Sequence, residues 1–112
     1  MLIFDFDQIS LLMNSIFKRY KNIQDQDFLV QDIISGICIN YLYVCYQNRN
    51  KIQANKAFAL LDKLPATPEL FIYKLLIKYY KYLFSSNFDQ AKNIKNILST
   101  NGLASLAQNL PY

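Results

Sequence analysis

Two stretches decide the fold, residues 37–64 (ICINYLYVCYQNRNKIQANKAFALLDKL) and residues 71–98 (FIYKLLIKYYKYLFSSNFDQAKNIKNIL), because they lie over one another at a shift of 34. At that shift Ile37, Cys38, Tyr41, Leu42, Cys45 and Tyr46 fall on Phe71, Ile72, Leu75, Leu76, Tyr79 and Tyr80. In the following segment Ala57 falls on Ala91, Leu60 on Ile94 and Leu64 on Leu98. Shifts of 33 or 35 place Gln90 or Lys92 under Ala57 and Asn93 or Lys95 under Leu60, so neighbouring registers fail. Each stretch reads as an amphipathic helix, a polar turn and a second helix. A helix pair repeating at that interval, with a small residue fixed in its second helix, has the period of a tetratricopeptide repeat. Two departures are visible: Phe58 and Leu61 fall on Lys92 and Lys95, and the proline that usually ends the repeat is missing. An ordinary helical bundle is the alternative architecture.

Outward from this pair, the same reading divides the remaining chain. A first helix runs from an Asp7 cap to about Tyr20, with Ile9, Leu12, Met13, Ile16, Phe17 and Tyr20 at helical spacing. Lys21 to Asp27 is a polar connection. The second helix, about 27–47, carries Val30, Ile33, Ile34, Ile37, Tyr41, Val44 and Cys45 on its apolar stripe. Gly36 inside it predicts a close helix contact, since glycine mid-helix is otherwise unfavourable by about 1 kcal/mol. A third helix follows to about Leu64, with Ala54, Ala57, Phe58, Leu61 and Leu64 on one side. Thr67 and Pro68 then form an N-cap and first helical position for the fourth. Ser85–Asn87 is a turn, Ala91, Ile94 and Leu98 mark the fifth helix, and Asn101-Gly102 reads as a left-handed cap. A short last helix with Leu103, Leu106, Ala107 and Leu110 closes before Pro111. The expectation is therefore one all-α domain over 1–112, with five or six helices. Helix pairs at about 27–64 and 67–99 are flanked by helices at about 7–20 and 102–110.

Composition supports this and narrows the function. Apolar residues make up 53% of the 112 residues and aromatic residues 15%, while only two glycines and three prolines interrupt. That is core-forming, breaker-poor material. The net charge of +4 is modest, and the lysines are dispersed without an arginine cluster, so direct nucleic-acid contact is not expected. No run reaches about 18 apolar residues; the richest, Leu70–Phe84, is broken by Lys74, Lys78 and Lys81, and no membrane span is expected. Asp5 and Asp7 following Met1 argue against a signal peptide. Cys38 and Cys45, seven residues apart on one helix, are separated by about 10.5 Å, beyond the roughly 7 Å limit of a disulfide. They read as free core thiols of a cytoplasmic protein.

Chemistry has little to work with. There is no histidine, two cysteines alone do not make a zinc site, and no glycine-rich loop can hold phosphate. The acidic pairs Asp5/Asp7 and Asp25/Asp27 read as helix-start charges. Neither an enzyme nor a cofactor or metal site is expected. A stacked-hairpin domain instead offers a concave face, lined by the first helix of each pair. There the second helix presents Asn40, Tyr43 and Gln47 and the fourth presents Lys74, Lys78 and Lys81. Amides can pair with an extended peptide backbone, tyrosine gives flat apolar area, and lysine offers a charge to a carboxylate. The plain alternative is a solvated face. Phe58 and Leu61, unexplained by the repeat, are candidates for a homodimer interface.

The order of segments resembles the C-terminal domain of the Rgg/GadR/MutR family of Gram-positive transcriptional regulators. The resemblance rests on Ile37–Asn40, Asn55–Ala57 with Leu60-Leu61, Lys74–Ile77 and Asp89–Ala91. The closing segment Ile97–Ala107 belongs to it as well. It covers roughly residues 28–110 and implies a cytoplasmic, dimerising, peptide-binding domain of a transcriptional regulator, with Asn40 holding a peptide backbone. That family's helix-turn-helix part has no counterpart in this sequence, so DNA binding is not carried over. A generic protein-interaction scaffold and a self-associating bundle are the other classes open to it.

Overall fold

Six α-helices and two short 3-10 turns account for the secondary structure in a computed structural model that describes residues 5–112. The helices are α1 (Phe6–Arg19), α2 (Phe28–Gln47), α3 (Lys51–Leu61), α4 (Phe71–Phe84), α5 (Phe88–Thr100) and α6 (Ala104–Gln108). Most start on a residue whose side chain can accept from the first-turn amides. Asp27 takes the Val30 N–H, Asn50 that of Gln53 and Asn87 that of Gln90. The first helix begins two residues earlier than Asp7: Asp5 accepts from the Gln8 N–H at 2.8 Å while the Gln8 side chain accepts from the Asp5 N–H at 3.0 Å. This reciprocal pair satisfies two otherwise orphaned donors, which Asp7 cannot do. Thr67 likewise departs from expectation. Pro68 stands at a first helical position, but of a 3-10 turn, Pro68–Leu70, and the Thr67 hydroxyl makes no cap.

The hairpin turns set the register. Past α2, Arg49 donates to the Tyr46 carbonyl and Asn50 to the Cys45 carbonyl; past α4, Ser86 donates to Leu83 and Asn87 to Tyr82. Both helix ends are closed by a residue in the left-handed region, Arg49 with φ 52 and Ser86 with φ 58, the usual way to tie off the last carbonyls. In each, the next asparagine is also the N-cap of the following helix. Matching Asn50 to Asn87 gives a spacing of 37, not 34. Ala91 then corresponds to Ala54, Ile94 to Ala57 and Leu98 to Leu61, all of them buried. The alignment at a shift of 34 keeps the same faces because a slip of three is nearly one helical turn. The equivalence of Ala57 with Ala91 is therefore one turn out of register. Gly102, also at positive φ, closes α5 as expected, with the Leu103 N–H on the Leu98 carbonyl at 2.9 Å.

Each hairpin, α2–α3 and α4–α5, packs along its length, and the two meet through α2 and α4. The Tyr73 hydroxyl donates to Asp32 at 2.6 Å, and the rings of Tyr46 and Phe84 meet edge-on. Helix α1 closes one side: Ser10 and Tyr41 share a 2.6 Å hydrogen bond, and Phe6 and Phe17 lie against the Tyr41 ring. Helix α6 packs on α5 and buries Ala107. The connection before α2 is not wholly polar, because Ile23 is buried in a 3-10 turn and its carbonyl accepts from the buried Gln31 amide at 3.2 Å. Tyr79 and Tyr80 are core residues.

By length and composition α2 is apolar enough to cross a membrane, a property that a search for one uninterrupted apolar run passes over because Gln31, Asp32 and Asn40 break it. Part of that apolarity is core, in Ile34, Cys38, Leu42 and Cys45. The expected close approach at Gly36 is not there. A methyl group added to it would meet only the Tyr73 hydroxyl, at 4.0 Å. Gly36→Ala is thus expected to raise stability by about 0.5–1 kcal/mol through the entropy of the unfolded chain. A denaturant midpoint that falls instead would show the position to be crowded.

Candidate functional site

The outward face of α2 differs from the stripe expected for it. Ile33 and Ile37 do not face the core but are 52% and 39% exposed, in line with Leu29 at 65% and Tyr43 at 41%. Asn40 and Gln47 are exposed on the same line. The spacing 29, 33, 37, 40, 43, 47 follows the helical period, so these six side chains form one stripe about 27 Å long. A helix apolar on nearly its whole circumference leaves such a stripe whenever neighbours cover only one side. That is the signal the sequence carried, obscured by treating every apolar position as core.

The lysines behave differently. Lys74 donates to the Leu64 carbonyl at 2.6 Å, and Lys81 is paired with Asp62 at 2.8 Å while its ammonium stands 5.6 Å from the centre of the Phe58 ring. Both are turned to the C-terminal end of α3. Lys78 is exposed and, among the described residues, has no hydrogen-bond or ion-pair partner. Gln47, Lys81 and Lys74 line three separate clefts. The six expected binding residues are therefore split, with Asn40, Tyr43 and Gln47 on the α2 stripe and the paired α4 lysines at the end of α3.

Phe58 and Leu61 are not available to a second subunit. Leu61 is fully enclosed, and Phe58 is buried by the edge of Phe84 at 6.1 Å and by the Lys81 stem. The lysines one repeat later look like a mismatch, but Phe84, supplied by the other hairpin, fills the site.

The titratable groups of the interior are held neutral. Burial pushes the Cys38 thiol up to about 12 and that of Cys45 to about 11. Tyr41 rises to about 12 mainly by burial, which outweighs the hydrogen bond from Ser10, and Tyr73 rises to about 12 through burial and the Asp32 carboxylate. Such thiols are inert at neutral pH. Both are free, as their spacing required. Among the described residues no group of three histidines, cysteines or carboxylates could hold a metal.

A cleft of about 630 Å³ lies at the end of the molecule where the two hairpin turns sit together, and Gln47 carries the α2 stripe into it. Arg49, Lys51 and Phe88 line it; Arg49 and Lys51 stood in a stretch that read only as a polar turn, and Phe88 carried no signal of a site. Compared with models of known protein families, with curated proteins and with solved structures, the chain matches none.

Proposed function

We propose that this domain binds an extended, apolar protein segment along the outward face of α2. The observation that carries the reading is the stripe Leu29–Ile33–Ile37–Tyr43, four large apolar side chains in a row facing solvent. Scattered exposed apolar residues are ordinary, whereas a contiguous line of them marks an interaction surface. Its length matches an extended segment of about eight residues. Asn40 and Gln47, set between and beyond the apolar side chains, can pair with that segment's backbone. Stacking of the two hairpins in the tetratricopeptide manner, with the interval from Asn50 to Asn87 as its period, is part of this proposal.

The test is selection of displayed peptides on the immobilised domain, followed by affinity measurement. Apolar peptides with micromolar Kd are expected. Ile33→Asp with Ile37→Asp should weaken them at least tenfold, and Asn40→Ala by about 0.5–1.5 kcal/mol, the value of one hydrogen bond. Peptides that bind the aspartate variant as tightly as the wild type would overturn the reading.

The resemblance to the Rgg/GadR/MutR family favours a narrower version, in which the segment is a short signalling peptide and the domain serves a cytoplasmic regulator that dimerises. The order of the sequence motifs supports it, and the enclosure of Phe58 and Leu61 moves any dimer contact elsewhere. A general protein-interaction scaffold with no catalytic role is the broader version of the same reading.

A further inference from the structure

The cleft at the turn end is built from two sources. The α2–α3 turn contributes Arg49 and Lys51; the α4–α5 side contributes Ser86 and Phe88, with Phe84 beneath and Pro111 from the C-terminal segment. Among the described residues no carboxylate lines it, and neither Arg49 nor Lys51 has an ion-pair partner. Beyond Lys51 and Phe84 a second cleft of about 390 Å³ begins, but its other lysine, Lys81, is already neutralised by Asp62. The uncompensated charge is thus confined to one rim of an otherwise aromatic and aliphatic hollow. One face of Phe88 is covered by the chain itself, since the ring of Tyr112 stacks on it at 4.7 Å and 26° while Lys95 donates to the Tyr112 main-chain oxygen at 2.7 Å; the part of Phe88 that lines the cleft is the aromatic wall. An aromatic wall beside a cationic rim suits a peptide residue that carries a carboxylate next to an apolar side chain.

The geometry points to a binding site for a peptide carboxylate flanked by an aromatic or large apolar side chain, with Arg49 and Lys51 taking the charge and Phe84 and Phe88 the side chain. A cavity of this size suits a ligand of a few residues. Arg49 can grip a carboxylate through two parallel N–H donors.

The probe is N-acetyl-phenylalanine, titrated into isotope-labelled protein and followed by NMR, beside its carboxamide and adenosine monophosphate. The acid is expected to bind in the millimolar range and to move the amides of Gln47, Arg49, Lys51, Ser86 and Phe88. The carboxamide should bind roughly tenfold more weakly, the loss of a charge-assisted pair. Arg49→Gln with Lys51→Gln should abolish the difference between acid and amide. The Ile33→Asp, Ile37→Asp variant should bind the acid as the wild type does, which separates this site from the α2 stripe. Equal binding of acid and amide, tighter binding of adenosine monophosphate, shifts confined to other surfaces, or no shifts would each overturn the proposal.

Discussion

Phe58→Ala is expected to destabilise the isolated chain by about 3–5 kcal/mol, the range for truncating a buried aromatic residue. Phe58 is enclosed by Phe84 from α4 and by the Lys81 stem, so removing its ring opens a void between the two hairpins and frees the Lys81–Asp62 pair that lies over it. For a domain of this length that loss lowers the melting temperature on the order of 15–30 °C. The decisive property is independence of protein concentration. A contact with a second copy would make the effect of the substitution change as the protein is diluted, whereas loss of an internal contact leaves it constant. Thermal melts of wild type and variant at two concentrations a hundredfold apart check this, and a shift that varies with concentration would return Phe58 to the surface.

The second large effect is an alkaline limit to stability. Cys38 and Cys45 ionise at about 12 and 11 in the folded chain against an ordinary value of 9.0, and Tyr41 and Tyr73 at about 12 against 10.0. Well below pH 9 the folded and unfolded chains both hold these protons, and the stability is full. As pH rises through 9 and then 10, the unfolded chain sheds them first, so folding binds protons and stability falls. Each group removes about 1.4 kcal/mol per pH unit until its own folded value is reached. With several groups acting together and a total stability of about 5–15 kcal/mol, unfolding is expected near pH 10–11. Denaturant melts from pH 8 to 11 should show the steepening, and Cys38→Ala should reduce the slope by close to one proton above pH 9. A stability flat to pH 11 would mean that these groups reach solvent in the folded state.

The elements were legible because each carries a local signature: apolar positions at the helical period, asparagines before helices, and glycine at the end of α5. The places where reading failed share a cause, which is that sequence period reports that a helix has an apolar face but not which neighbour covers it. Ile33 and Ile37 carry the same apolar character as Ile34 and differ only in that α1, α3 and α4 leave their side of α2 bare. Phe58 was hard for the opposite reason, since its cover, Phe84, comes from another hairpin. Lys74 and Lys81 have the spacing of a ligand face, yet the C-terminal end of α3 and the segment after it supply a carboxylate and a carbonyl that claim them. The register at a shift of 34 was persuasive because a slip of three turns a helix by nearly a full circle, and only the hydrogen bonds of the turns reveal it.

Asn50 and Asn87 each do two jobs at once, tying off the carbonyls of the helix before and the amides of the helix after. With no spacer between the two jobs, the inner ends of α2 and α3 cannot fray separately, and the same holds for α4 and α5. Opening either turn releases both helix ends in a single event. The smallest units of local opening are then whole hairpins rather than single helices, and what joins one hairpin to the next across the stretch 62–67 is side-chain bonding, Lys74 on the Leu64 carbonyl and Lys81 on Asp62.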